Sequence, residues 1–194
     1  MGSPKALLRD GSGQAYLTRS AEALHFGGCR PVVVVLGAQA DRAAALLELD
    51  RPPGRPPGRP PGRPVDDSTL HVVVAADWAQ GMGASLRAGF GALQHTDVSA
   101  ALVSLVDLPD VGRSVVERVL DALEPGPDVL GRASYDGLPG HPVLIGRDHW
   151  PGVITTAHSD HGAREYLLEH PPALVECGDL ASGRDVDTPR DLAP

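Results

Sequence analysis

The sequence predicts an α/β domain with a mostly parallel sheet between helices. Three observations predict it. Short β-branched runs alternate with Ala/Leu-rich segments of helical spacing, the order of βαβ units. Aromatic residues are only 4% while hydrophobic residues are 42%, so the core must be built from Val, Leu and Ala, as buried parallel strands are. The length, 194 residues, is enough for a single such domain with a proper core.

The elements follow in order. Strand-length apolar runs occur at Pro31–Gly37 (PVVVVLG), Leu70–Ala76 (LHVVVAA) and Val98–Val106 (VSAALVSLV). Shorter candidates are Val129–Ala133, His141–Ile145 and Ala173–Cys177. Helical spacing marks Gln14–Phe26, Ala38–Leu49, Ala84–Leu93, Arg113–Leu123 and Gly162–His170. Residues 51–64 break the pattern with an RPPG repeat. Proline blocks helix and sheet interiors, so a solvated, partly polyproline linker is expected there. A ligand for a proline-binding groove is the alternative.

The formal net charge is −8. The repeat holds four of the 17 basic residues and no acids, which leaves 13 basic against 25 acidic residues, or −12, elsewhere. An acidic body argues against non-specific nucleic-acid binding and anionic membrane surfaces. Phosphate remains compatible, because loops and helix N-termini capture it locally. Cys29 and Cys177 lie far apart with no CxxC, which makes a reducing compartment the default. No run approaches the roughly 18 apolar residues of a membrane span, and Ala6-Leu7-Leu8 is too short for a signal-peptide core. A cytoplasmic domain is expected.

Ligands of open parallel sheets bind beyond the carboxyl ends of the strands, so the residues after each apolar run carry the chemistry. Asp107 follows Ala100–Val106 directly, where a carboxylate can ligate magnesium; a turn or N-cap before Pro109 is the plain alternative. Asp185-Val186-Asp187-Thr188-Pro189 supplies a second acidic cluster. It reads either as the cap of a short final helix or as a second carboxylate converging on the same metal. Gly2 admits close backbone approach, and Lys5 is a point charge suited to phosphate oxygens. Gly81-Met82-Gly83-Ala84-Ser85 opens a helix with two glycines, leaving N–H groups for a base or a phosphate; an ordinary glycine-containing loop capped near Ser85 is the alternative. Gly137–Gly140 is expected as a tight turn that delivers His141 to the start of a strand.

Together these segments resemble the MobA-like nucleotidyltransferases, most closely the molybdenum-cofactor cytidylyltransferase branch. The family pattern opens with a strand and a loop of the form LAAGxSxRMGxPK. It continues with GMGxSLxAG, an aspartate after a central strand, GxPGHPV, and a closing DxDTPxDL. Met1–Lys5, Gly81–Gly89, Asp107-Leu108-Pro109, Gly137–Val143 and Asp185–Leu192 correspond to these in order. The resemblance covers nearly the whole chain apart from the repeat. It implies a single domain over 1–194, with a three-layer Rossmann-like nucleotidyltransferase fold. It implies that Gly2 and Lys5 touch the triphosphate, and that Gly81, Met82, Gly83 and Ser85 lie against the nucleotide. The GMG form is more like the cytidine-using branch than the guanine-using one, so CTP is favoured over GTP. Asp107 would hold Mg2+, with Asp187 and behind it Asp185 as the second carboxylate, and His141 would line the acceptor side. The implied reaction is attack by an acceptor phosphate, such as that of molybdopterin, on the α-phosphorus.

Met1 coincides with an internal methionine of the family pattern. The family's first strand and the glycine-rich half of its loop have no counterpart here, and a misplaced translation start is the simplest expectation. A sheet lacking that strand would expose unpaired edges and apolar surface. Two other functions compete with the transferase. Some relatives of this family are nicotine-blue-type NAD(P)H oxidoreductases, although no complete GxGxxG is present. The other is a catalytically impaired binding module.

Overall fold

The computed structural model describes residues 4–49 and 70–185. The expectations placed on the RPPG repeat, on Gly2, on Asp187 and on a closing helix at Thr188 lie outside the described residues. In chain order the elements are α1 (Tyr16–Phe26), β1 (Val32–Leu36), α2 (Ala40–Leu49), β2 (Leu70–Val74), α3 (Met82–Leu93), β3 (Ala100–Val103), α4 (Arg113–Ala122), β4 (Leu130–Tyr135), β5 (Leu138–Gly146), α5 (Trp150–Thr156), α6 (Arg164–Glu169) and β6 (Ala173–Glu176). The α/β class read from the sequence is the one observed.

Among the described residues the strands form two sheets, not one. β1 and β2 pair in parallel, Val32 opposite Leu70 through Leu36 opposite Val74. The second sheet has the order β3-β5-β4-β6. There β5 is antiparallel to both β3 and β4, and β4 is parallel to β6. The pairing is therefore mixed where a mostly parallel sheet was expected. The reason is local. Asp136 (φ 52°) and Gly137 (φ 78°) form a two-residue turn with both residues left-handed, the geometry that matches strand twist and closes a hairpin. The turn thus falls at Asp136-Gly137 rather than Gly137–Gly140. β5 starts at Leu138, and His141 lies within the strand instead of at its start.

Side-chain alternation sorts the helices into two layers. Val32, Val34 and Leu36 share a core with Leu17 and Ala21 of α1 and Ala43 and Leu47 of α2. Val35 points the other way, toward Gly89 of α3. On β3, Ala101 and Val103 pack with Phe90 of α3 and Trp150 of α5, whereas Ala100 and Leu102 pack on the core that contains Val115 and Val119 of α4. So α1, α2 and α4 cover one face and α3, α5 and α6 the other, a three-layer arrangement that follows from the period of two along each strand.

Helix α5 has no sequence-based counterpart. Its opening Trp150-Pro151-Gly152 reads as a breaker, but proline in the first turn removes only an N–H that has no helical partner anyway. Trp150 then buries its ring 5.3 Å from that of Phe90, and its indole N–H donates to the carbonyl of Ile145 at 2.9 Å. None of the helices among the described residues is long and apolar enough to cross a membrane.

Candidate functional site

The apolar run Val98–Val106 gives a strand only over Ala100–Val103. The β3–β5 ladder ends with Val103 opposite Val143. The next partner is Pro142, which has no N–H to donate. Ser104–Val106 carry the chain on, and Asp107 sits in a turn four residues after Val103. Leu108 and Val111, both buried in the α4 core, pin that turn.

Lys5 meets it from the other end of the chain. It opens a short 3-10 turn, Lys5–Leu7, whose Ala6 and Leu7 pack against the α1/α2 core beside Val106. The Lys5 Nζ donates to Asp107 Oδ2 at 2.6 Å, with the two side chains 37% and 16% exposed. Asp107 Oδ1 is buried with no hydrogen-bond partner among the described residues. A buried, unpaired acceptor costs about 1–3 kcal/mol, so this oxygen is the orphan a cation would satisfy. One carboxylate with a free lone pair therefore fits magnesium, a hard ion that asks the protein for one or two such groups.

His141 projects into the same region. Burial pushes its imidazole down to about 4; the Arg132 guanidinium adds to the effect, and the Asp107 carboxylate opposes it. It is neutral at pH 7. Arg132 is the functional candidate that the sequence reading missed. Its signal was a charged residue inside the otherwise apolar run Val129–Ala133. Burial lowers its affinity for the proton, and its Nε donates to the Gly140 carbonyl at 2.9 Å. Tyr135 completes the group by donating its hydroxyl to the His141 carbonyl at 2.6 Å.

The start of α3 is arranged differently from the expectation. Gly81 has φ 105°, and a Cβ there would lie 2.5 Å from Asp160 Oδ1 and 2.6 Å from the Ser159 carbonyl carbon. At Gly83 a Cβ would lie 2.6 Å from the Ala157 carbonyl oxygen. The open faces of both glycines are thus occupied by the chain's own 157–160 segment. Arg87 latches that segment down, donating to the Ala157 carbonyl at 2.5 Å and to Asp77 Oδ2 at 2.9 Å. Met82 and Ser85 remain available, and both line a cavity of about 1390 Å³ that His141 and Arg132 also line.

Asp185 is exposed at the end of the described chain. Two contacts carry that end toward the Asp107 turn. Asp110 Oδ2 accepts from both the N–H and the hydroxyl of Ser182, each at 2.6 Å, and Gly183 (φ 63°) packs on the Tyr135 ring. Among the described residues no group of three or more His, Cys, Asp or Glu side chains gathers around a common point. The structure therefore brings together Lys5, Asp107, His141 and Arg132, sets Met82 and Ser85 on the adjoining cavity wall, and closes Gly81 and Gly83 against the chain itself.

Residues 1–174 match the family described as the MobA-like NTP transferase domain. The chain is 36% identical over 194 residues to the nicotine blue oxidoreductase of Paenarthrobacter nicotinovorans, covering 95% of this chain and 84% of that one. Among solved structures it is similar to the manganese complex of Rv0371c from Mycobacterium tuberculosis H37Rv (TM-score 0.65, 22% identity, 98% and 92% of the two chains). It is also similar to 4-diphosphocytidyl-2C-methyl-D-erythritol synthase (TM-score 0.60, 16% identity, 97% and 91%). At these identities the structural likeness speaks to fold.

Proposed function

The chain belongs to the MobA-like NTP transferase domain family, and from that premise we propose that it transfers a nucleoside monophosphate, CMP from CTP in preference to GMP from GTP, to a phosphorylated acceptor such as molybdopterin. The observation that carries this reading is the Lys5–Asp107 pair, whose second carboxylate oxygen is buried and unpaired. Asp107 would hold magnesium through that oxygen, with Asp187 or Asp185 as the second carboxylate. Magnesium bound there would neutralise charge building on the triphosphate.

The remaining chemistry belongs to the chain. Lys5 Nζ would turn from Asp107 to the phosphate oxygens as a point charge when a cation takes up that carboxylate. Arg132 offers a second cation in a half-buried setting, where its field is screened less than in water. His141, neutral at working pH, accepts or donates a hydrogen bond on the acceptor side without adding charge. Gly2 joins Lys5 at the triphosphate, and Met82 and Ser85, on the wall of the adjoining cavity, border the nucleotide. An oxygen of the acceptor phosphate forms a bond to the α-phosphorus, the bond from that phosphorus to the β-bridging oxygen breaks, and pyrophosphate leaves. Positioning and charge neutralisation suffice, with no protein nucleophile.

A second reading has its own support. The 36% identical relative is a nicotine blue oxidoreductase, so an NAD(P)H-dependent reductase on the same fold is the competing activity. The test is titration with CTP, GTP and NADPH, each with and without magnesium, together with an assay for pyrophosphate release. Magnesium-dependent CTP binding and release that Asp107→Ala abolishes support the transferase. Binding of NADPH without magnesium dependence favours the reductase, while CTP binding with no release points to an impaired binding module. Full activity of Asp107→Ala ends the metal assignment.

A further inference from the structure

His141 stands in a β-bulge. Arg132 lies opposite Val143 and Ser134 opposite Pro139, so Ala133 alone on β4 faces Gly140, His141 and Pro142 on β5. Extra residues in one strand re-aim the side chains they carry, which is why bulges collect beside active sites. This one is pinned from β4. Arg132 Nε donates to the Gly140 carbonyl at 2.9 Å, and the Tyr135 hydroxyl donates to the His141 carbonyl at 2.6 Å. A Cβ on Gly140 would lie 2.6 Å from the Tyr135 ring, so ring and bulge are packed without a gap. The aim of His141 therefore depends on where Tyr135 is held, and Tyr135 is the last residue of β4 before the hairpin turn.

Glu176 holds that turn. It ends β6 opposite Ser134, and its carboxylate takes two donors on each oxygen. Oε2 accepts from the Ser134 hydroxyl at 2.8 Å and the Gly137 N–H at 3.1 Å. Oε1 accepts from the N–H groups of Asp136 and Gly178, both at 2.9 Å. Asp136 and Gly137 are the two left-handed turn residues, and their N–H groups lie beyond the last ladder pair, Tyr135 opposite Leu138. An ionised acceptor makes stronger hydrogen bonds than a neutral one. These bonds, that of Ser134 foremost, hold the Glu176 carboxyl below the usual carboxylate range. Because β3, β4 and β6 run in one direction, the turn lies at the same edge of the sheet as Asp107.

We infer that Glu176 is a positioning residue: its carboxylate fixes the Asp136-Gly137 turn and, through Tyr135, the β5 bulge that aims His141 into the site. That His141 lines the acceptor side rests on the transferase reading; the hydrogen bonds to Glu176 do not. Glutamine cannot take its place. It has the same reach, but one acceptor oxygen instead of two, and its amide N–H groups would face main-chain donors.

The His141 imidazole reports the outcome by NMR, its Cε1–H resonance identified by its loss in His141→Gln. The parent, Glu176→Gln and Asp179→Asn are titrated side by side. Loss of a nearby negative charge lowers the affinity of an imidazole for its proton, whereas release from a buried setting raises it. A lost charge and a released ring thus move the midpoint in opposite directions. We expect the midpoint in Glu176→Gln to rise by about one pH unit or more, and the Asp136 and Gly137 amides to exchange about tenfold faster. Asp179→Asn removes a carboxylate that pairs with Arg118 and does not touch the turn, so it should match the parent in both. A midpoint that stays or falls in Glu176→Gln overturns the inference, as does an equal rise in Asp179→Asn. Should Glu176→Gln fail to fold, Ser134→Ala removes one donor and no charge; its midpoint should also rise, and no rise there overturns the inference. No substrate enters this readout, so a parent that releases no pyrophosphate from CTP would end the transferase reading and leave the Glu176 result standing.

Discussion

Alanine substitutions at two glycines of α3 should move stability in opposite directions. In a helix interior, Gly→Ala ordinarily stabilises by about 0.5–1 kcal/mol, because glycine loses more backbone entropy on folding. Gly91 has nothing within 4 Å of its missing Cβ, so Gly91→Ala should show that gain. A Cβ on Gly83 would lie 2.6 Å from the Ala157 oxygen, 2.8 Å from its carbonyl carbon and 3.0 Å from the His158 nitrogen. All three are backbone atoms of a segment held by Arg87, so they cannot turn aside as a side-chain tip would. Overpacking of this kind costs about 1–3 kcal/mol, and the upper end applies here, leaving a net loss of about 2 kcal/mol after the propensity gain. For a chain of this size, about 2–4 °C of Tm accompanies each kcal/mol. Thermal unfolding followed by far-UV circular dichroism should therefore place Gly83→Ala some 4–8 °C below the parent and Gly91→Ala about 2–3 °C above it. If both variants gain equally, the 157–160 segment is not seated on α3, and the helix start returns to being an open ligand-facing surface.

Two further outcomes test the site's surroundings. The folded-state value of His141, about 4, lies below its ordinary 6.5, so between those values the unfolded chain takes up a proton that the folded chain refuses. Stability is full above 6.5 and falls as pH drops toward 4. At about 1.4 kcal/mol per pH unit, the parent should lose ~2 kcal/mol more than His141→Gln between pH 7 and pH 5, read from urea midpoints at the two pH values; equal losses would contradict the buried, neutral assignment. Asp110→Ala removes the one oxygen that accepts both hydrogen bonds from Ser182 but also an orphaned oxygen. It should cost only about 1 kcal/mol while speeding proteolysis after Ala181, and an unchanged cleavage rate would argue that Asp110 does not anchor the C-terminal segment.

The strands and most helices were legible because each carries its own period. Val32–Leu36 alternates between two helical layers, and Arg113–Ala122 buries Val115, Val116 and Val119 at helical spacing. What escaped depended on partners distant in sequence. Pro142 cuts β3 short, though nothing in residues 98–106 records it. Helix α5 hid behind a proline that only its position made harmless. Arg132 stood out as a charge in an apolar run, yet its weight came from His141 and Gly140 across the hairpin.

The Lys5–Asp107 site shows the same division. Sequence alone determined that a lysine near one terminus and an aspartate after an apolar run were phosphate and metal candidates, because charge type and strand ends are local properties. Only the tertiary structure decided that they touch, 102 positions apart, that one carboxylate oxygen is left buried and unpaired, and that the glycines opening α3 face the chain itself. Likewise, the apolar runs determined that strands exist, while folding decided which of them pair. Hydrogen-bond pairing, burial and close approach are relations between segments, and the order of residues along one segment does not contain them.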